Sequence, residues 1–142
     1  MPTEPTNPIE TEPDPKDIAF IEDRIIEFNY AETGIRDGEL LAIFQRAENN
    51  AITAGIYGWT WGGVCEIRFL WVQSERRRQG TGKQLLAQAE QEARRRGCHK
   101  ITLNTHSFQA PNFYQKYGYQ IIGVVDDYPR GYQNIFLQKI LD

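Results

Sequence analysis

The stretch Val72-Gln73-Ser74-Glu75-Arg76-Arg77-Arg78-Gln79-Gly80-Thr81-Gly82 decides the reading of this 142-residue chain. An apolar, β-rich run ends at Val72, a polar and basic loop follows, and two glycines open a long amphipathic segment. Glycine lets backbone approach a ligand closely, and the first-turn N–H groups of a helix have no partner within it. With the positive end of the helix dipole they make an anion site, suited to a diphosphate. Arg77 and Arg78 can add charge-assisted hydrogen bonds. Spacing removes two other phosphate loops. A Walker loop requires Gly-Lys-Ser/Thr, whereas Gly82-Lys83 precedes Gln84, and a dinucleotide fingerprint requires glycine where Leu85 stands. A plain turn capping a surface helix is the competing reading; the flanking strand, arginines and long helix weigh against it.

Working outward, Leu85, Leu86, Ala89 and Ala93 recur on one face and predict a helix over Gly80–Gly97. Arg94–Arg96 suit the negative end of its dipole, and Gly97 suits a left-handed stop. Upstream, Glu39–Ala47, Ile52–Trp61 and Val64–Val72 read as an antiparallel meander with turns at Glu48-Asn49-Asn50 and Gly62-Gly63. Earlier still, Ile18, Ile21, Ile25 and Phe28 mark the inner stripe of a helix from about Lys16 to near Gly34. Ile9–Glu12 reads as a short edge strand between prolines. Downstream come a strand at Lys100–Asn104, a short helix at about Ala110–Tyr117, and strands at Tyr119–Val125 and Gln133–Leu141. Residues 1–7 read as a flexible, acidic and proline-rich tail, and residues 8–142 as a single α/β domain.

A net charge of −3 argues against a nucleic-acid partner, which usually selects a basic balance. Cys65 and Cys98 lack metal-ligand spacing and read as reduced thiols, so no metal is expected. The N-terminal stretch is unlike a signal peptide, and no apolar run approaches the ~18 residues that cross a bilayer. A cytoplasmic protein without membrane partners is the expectation.

Two motifs then carry a resemblance. Arg77-Arg78-Gln79-Gly80-Thr81-Gly82 resembles the Arg/Gln-x-x-Gly-x-Gly/Ala signature of the GNAT superfamily of N-acetyltransferases. Ala110-Pro111-Asn112-Phe113-Tyr114-Gln115-Lys116-Tyr117-Gly118-Tyr119 is similar to that family's Ala-x-x-Phe-Tyr-x-Lys-x-Gly-Phe stretch. The resemblance covers roughly residues 15–142. It implies a mixed, mostly antiparallel sheet of about six or seven strands flanked by helices. That sheet would splay between its fourth and fifth strands, Val64–Val72 and Lys100–Asn104.

The resemblance also implies acetyl transfer from acetyl-CoA to a primary amine of a small molecule or peptide, by direct attack through a tetrahedral intermediate. The alternative is a non-catalytic acyl-CoA sensor. Arg77 and the backbone N–H groups of Arg78, Gln79, Gly80, Thr81, Gly82 and Lys83 would hold the diphosphate. Backbone at Leu70, Trp71 and Val72 would pair with the pantetheine arm, and an N–H there could stabilise the oxyanion. Homodimers are frequent in the superfamily, although no residue here names an interface.

Tyr114 matches the family tyrosine that protonates the departing thiolate, and a phenol with a reference pKa of about 10 is protonated at neutral pH. A core aromatic beside Phe113 and Tyr117 is the other reading. Glu66 resembles a catalytic glutamate of some members; burial in an apolar strand would raise its pKa, or Arg68 could simply pair with it. His106, just past the Lys100–Asn104 strand, is a further candidate for proton transfer. Ser107 stands where the family often has asparagine, which leaves Asn104 or Asn112 to contact the pantetheine. Trp59, Trp61 and the loop Asp126–Tyr132 set acids beside aromatics and would suit a cationic acceptor.

Overall fold

The computed structural model describes every residue except Met1, Pro2, Glu4 and Pro5, so part of the expected 1–7 tail lies outside the described residues. The chain forms two compact units, residues 1–35 and 36–142.

The first unit holds one helix, α1 (Pro15–Thr33). The Asp14 side chain accepts from the Lys16 N–H at 2.9 Å, and Pro15 sits in the first turn, where its missing N–H is not needed. Gly34 ends the helix at φ 72°, donating its N–H to the Tyr30 carbonyl at 2.8 Å. Two expectations change here. Ile9–Glu12 forms no strand; prolines at 8 and 13 each lack a ladder donor on either side of a four-residue stretch. The stripe Ile18, Ile21, Ile25 and Phe28 is exposed, since the described residues of this unit form no second element to cover it.

The second unit is a six-stranded mixed sheet with two helices. Its elements are β1 (Glu39–Arg46), β2 (Ile52–Trp61), β3 (Val64–Val72), α2 (Thr81–Arg95), β4 (Lys100–His106), α3 (Pro111–Lys116), β5 (Gln120–Asp126) and β6 (Gln133–Ile140). The order across the sheet is β1-β2-β3-β4-β6-β5, and only the β3–β4 pairing is parallel. Gly62 and Gly63, at φ 60° and 83°, supply the two positive φ values that a tight β2–β3 hairpin demands. The α2 stripe behaves as its period requires: Leu85, Leu86, Ala89 and Ala93 are buried in one cluster with Leu41, Ala54, Ile56, Cys65 and Ile67. Each fully buried leucine there contributes about 1.5–3 kcal/mol.

Two features of β3 open the sheet. Its ladder with β4 runs only from Val64–Lys100 to Glu66–Thr102, and then the strands part. The splay therefore falls between the third and fourth strands rather than the fourth and fifth, because the expected first strand does not form. Near the same point Tyr57 pairs with Phe69 but Gly58 with Ile67, so Arg68 is an extra residue in a β-bulge. The bulge reverses the alternation. Cys65 and Ile67 face the core before it, and Leu70 and Val72 pack against the core after it. Gly58 permits the close approach, since a Cβ there would collide with the Glu66 carbonyl oxygen. β4 runs two residues past its expected end because β6 pairs with it as far as His106–Asn134.

Candidate active site

Where β3 leaves β4, a cleft of about 730 Å³ opens, within the usual size range of small-ligand sites. One wall is Leu70–Val72 of β3, another the loop and first turn of α2 (Arg76–Arg78 and Gly80–Lys83), and a third Phe113, Tyr114 and Tyr117 of α3 and its end. The loop is shaped locally. Ser74–Arg76 makes a short 3₁₀ turn anchored by Gln73, whose N–H reaches the Thr53 carbonyl at 2.8 Å. Arg78 and Gly80 then adopt left-handed φ values of 64° and 81°. Gly80 stands at the helix cap without a capping side chain, and no acidic residue lies in the first turn. The orphan N–H groups of α2 are thus left for another partner. A methyl added at Gly82 would sit 3.5 Å from the Phe113 ring and narrow the cleft floor.

Most residues expected to bind a nucleotide diphosphate and its arm meet here: Leu70, Trp71, Val72, Arg77, Arg78, Gly80, Thr81, Gly82 and Lys83 all line the cleft. Arg77 also donates through Nε to the Val72 carbonyl at 3.0 Å, so that carbonyl is already engaged within the loop. Gln79 instead turns its amide towards the Glu75 carbonyl at 3.5 Å. Arg76, Phe108, Gln109 and Ala110 line the cleft although sequence reasoning did not select them. Arg76 carried a signal, as a member of the arginine triplet. Gln109 carried none: its Oε1 accepts from the His106 N–H at 2.7 Å and so shapes the loop after β4.

Deeper in the splay lies a second cavity of about 190 Å³, bounded by Ile67–Leu70, Leu103–His106, Gln109, Ala110 and Tyr114. Leu70, Gln109, Ala110 and Tyr114 line both spaces. Tyr114 is buried, and burial pushes its phenol up to about 12. Its ring is held edge-on by Phe113 at 5.1 Å and Tyr119 at 5.7 Å.

The remaining candidates are placed as follows. Asn104 borders the small cavity and donates to Asn134 Oδ1 at 3.1 Å, while Asn112 lies on the exposed side of α3. Glu66 is not buried as expected. Strand alternation sets it opposite Cys65 and Ile67, on the exposed face, 3.5 Å from Arg68. His106 ends β4 rather than following it; its Nδ1 lies 3.1 Å from the Tyr128 carbonyl oxygen, and its ring stacks on Phe108 at 5.4 Å. Phe108 meets Tyr132 edge-on at 5.1 Å, so His106, Phe108, Tyr128 and Tyr132 form one aromatic group. Asp126 and Asp127 accept from Gln133 Nε2 and the Gly131 N–H at 2.8 and 2.7 Å, which fixes the hairpin they belong to. Trp59 and Trp61 pair with Glu66 and Val64 at the closed end of the splay and border neither space.

Residues 5–119 match the profile of the Acetyltransferase (GNAT) family. An acetyltransferase of Agrobacterium fabrum is 34% identical over 119 residues, spanning 84% of this chain and 87% of its own length. Blasticidin-S acetyltransferase of Streptomyces morookaense is 36% identical over 107 residues, spanning 72% and 76% respectively. The crystal structure of an acetyltransferase from Bacillus cereus ATCC 14579 has the same fold, with a TM-score of 0.77 at 33% identity over 95% of this chain and 98% of that one.

Proposed function

The chain belongs to the acetyltransferase (GNAT) family and is an acyl-CoA-dependent acetyltransferase, and we propose that it moves acetyl from acetyl-CoA directly to a primary amine of a small molecule. One observation carries this reading. Tyr114 lines both the long cleft and the small cavity, and a thioester and an amine entering from opposite sides would react beside it.

The long cleft suits the CoA moiety of the acyl donor. Uncapped N–H groups at the start of α2 and the side chains of Arg76, Arg77 and Lys83 offer donors and positive charge to its diphosphate. The amine attacks the thioester carbonyl in its neutral form. As the carbon–sulfur bond breaks, Tyr114 Oη–H gives its proton to the leaving sulfur and regains one from solvent. Burial suits the phenol to this task, because it stays protonated well above neutral pH. The surplus ammonium proton departs through water; Glu66, exposed and paired with Arg68, is assigned no part in its removal. Neither cysteine suits a covalent route. Burial, reinforced by nearby Cys98, pushes the Cys65 thiol up to about 12, and burial raises Cys98 as well.

A small-molecule acceptor fits the 190 Å³ cavity and the aromatic group at its side, and a relative bears the name of one such acceptor, blasticidin S. Thiol release from acetyl-CoA, measured against small amines including blasticidin S and a peptide α-amine, tests the reading. Tyr114→Phe is expected to lower kcat by about 10²-fold while CoA affinity stays within about twofold. An unchanged kcat would remove Tyr114 from the reaction. Tight CoA binding without turnover on any amine would leave an acyl-CoA sensor.

A further inference from the structure

Glu90 has no part in the chemistry above, yet it is buried on the inner side of α2. A buried carboxylate costs several kcal/mol unless it is paired and hydrogen-bonded. Here its Oε1 accepts from Tyr119 Oη at 3.0 Å and from Lys139 Nζ at 3.0 Å, and Oε2 lies 3.2 Å from the same ammonium. Three parts of the fold converge on it: α2, strand β6, and the turn between α3 and β5.

Tyr119 connects this knot to the candidate acid. Its hydroxyl is tied to Glu90, its N–H donates to the Tyr114 carbonyl at 3.1 Å, and its ring packs edge-on against the Tyr114 ring at 72°. The Lys139 ammonium lies 5.6 Å from the Tyr119 ring centre and restrains it from another side. A phenylalanine would fill the same volume with its tilt set by packing alone, whereas a charge-assisted bond to a fixed carboxylate sets that tilt directly.

We propose that Glu90, acting through Tyr119, is a positioning residue that holds the Tyr114 phenol at the junction of the two spaces. The proposal rests on Tyr114 being the acid. It is tested by a kinetic cycle with acetyl-CoA and the fastest amine of the panel, in which Tyr119→Phe is introduced into the native protein and into Tyr114→Phe. Glu90 keeps its Lys139 partner in Tyr119→Phe, so the fold is expected to survive. Should it not, Glu90→Gln takes its place in the same cycle.

In the native background kcat is expected to fall roughly tenfold, with the KM for acetyl-CoA within about twofold. In the Tyr114→Phe background the same change is expected to cost nothing further, since the group being positioned is gone. Equal losses in both backgrounds, or no loss in the native one, would overturn the positioning role alone. A silent Tyr114→Phe, or no turnover with any amine, would overturn the acid role and this proposal with it.

Discussion

The two ends of α2 are built by opposite rules. At its C-terminus Arg96 donates to the Glu39 and Leu40 carbonyls and to Thr60 Oγ1, at 3.0–3.3 Å, and closes on Glu92 at 2.8 Å. Arg95 grips both oxygens of Glu92 at 2.7 and 2.6 Å, and the N–H groups of Arg96, Gly97 and Cys98 all find carbonyls of the last turns. At the N-terminus no side chain caps the helix, no acid lies in its first turn, and Gly80 leaves the backbone bare. Glycine in place of a Ser, Thr, Asp or Asn cap forgoes about a few tenths of a kcal/mol. That the same helix is tied down at one end and bare at the other separates two tasks: one end holds the sheet, and the other faces a cleft where an anion can supply the missing partners.

Substitutions at the two ends should separate those tasks. The largest effect is expected from Arg96→Ala, which strips partners from two strand carbonyls and should lower stability by about 2–3 kcal/mol in denaturant melts. CoA affinity measured on the folded variant should stay within about twofold. Lys83→Glu, at the other end, is expected to act in both directions at once. An acid in the first turn should stabilise the helix by about 0.3–1 kcal/mol, while reversing a cleft charge should weaken CoA binding by roughly tenfold or more in calorimetry. Equal and parallel losses of stability and binding at both ends would erase the distinction. The smallest effect concerns Glu92, whose carboxyl is held down at about 2 by hydrogen bonds from Arg95 and then Arg96. Its contribution is present above the ordinary value of 4.5 and is lost as pH falls from there towards 2. Glu92→Gln should flatten that acid limb of the melting curve and leave thiol release at pH 8 unchanged.

The bare end was legible in the sequence because its causes are local. Gly34, Gly62-Gly63 and Gly80 each mark a left-handed backbone position, and the period of Leu85, Leu86, Ala89 and Ala93 fixes which side of α2 is buried. What could not be read depends on partners distant in the chain. The bulge at Arg68 exists only against β2, with Gly58 making room, and it decides that Leu70 and Val72 turn inward. Glu66 reads as buried in an apolar run, but its side of the strand is the exposed one. Glu90 carries no signal of its own in the sequence; Lys139 and Tyr119, remote in the chain, make its burial tolerable. The site shows the same divide. The α2 loop follows from spacing and Tyr114 from the family resemblance, whereas Phe108 and Gln109 enter the cleft only through the course of the loop after β4.

The most direct test of CoA binding at the bare end follows the backbone amides of α2 by two-dimensional NMR as CoA is added. The largest shifts are expected on residues 78–84, with residues 94–98 at the far end nearly still. Largest shifts outside the α2 loop, or no movement at residues 78–84 on saturation with CoA, would contradict it.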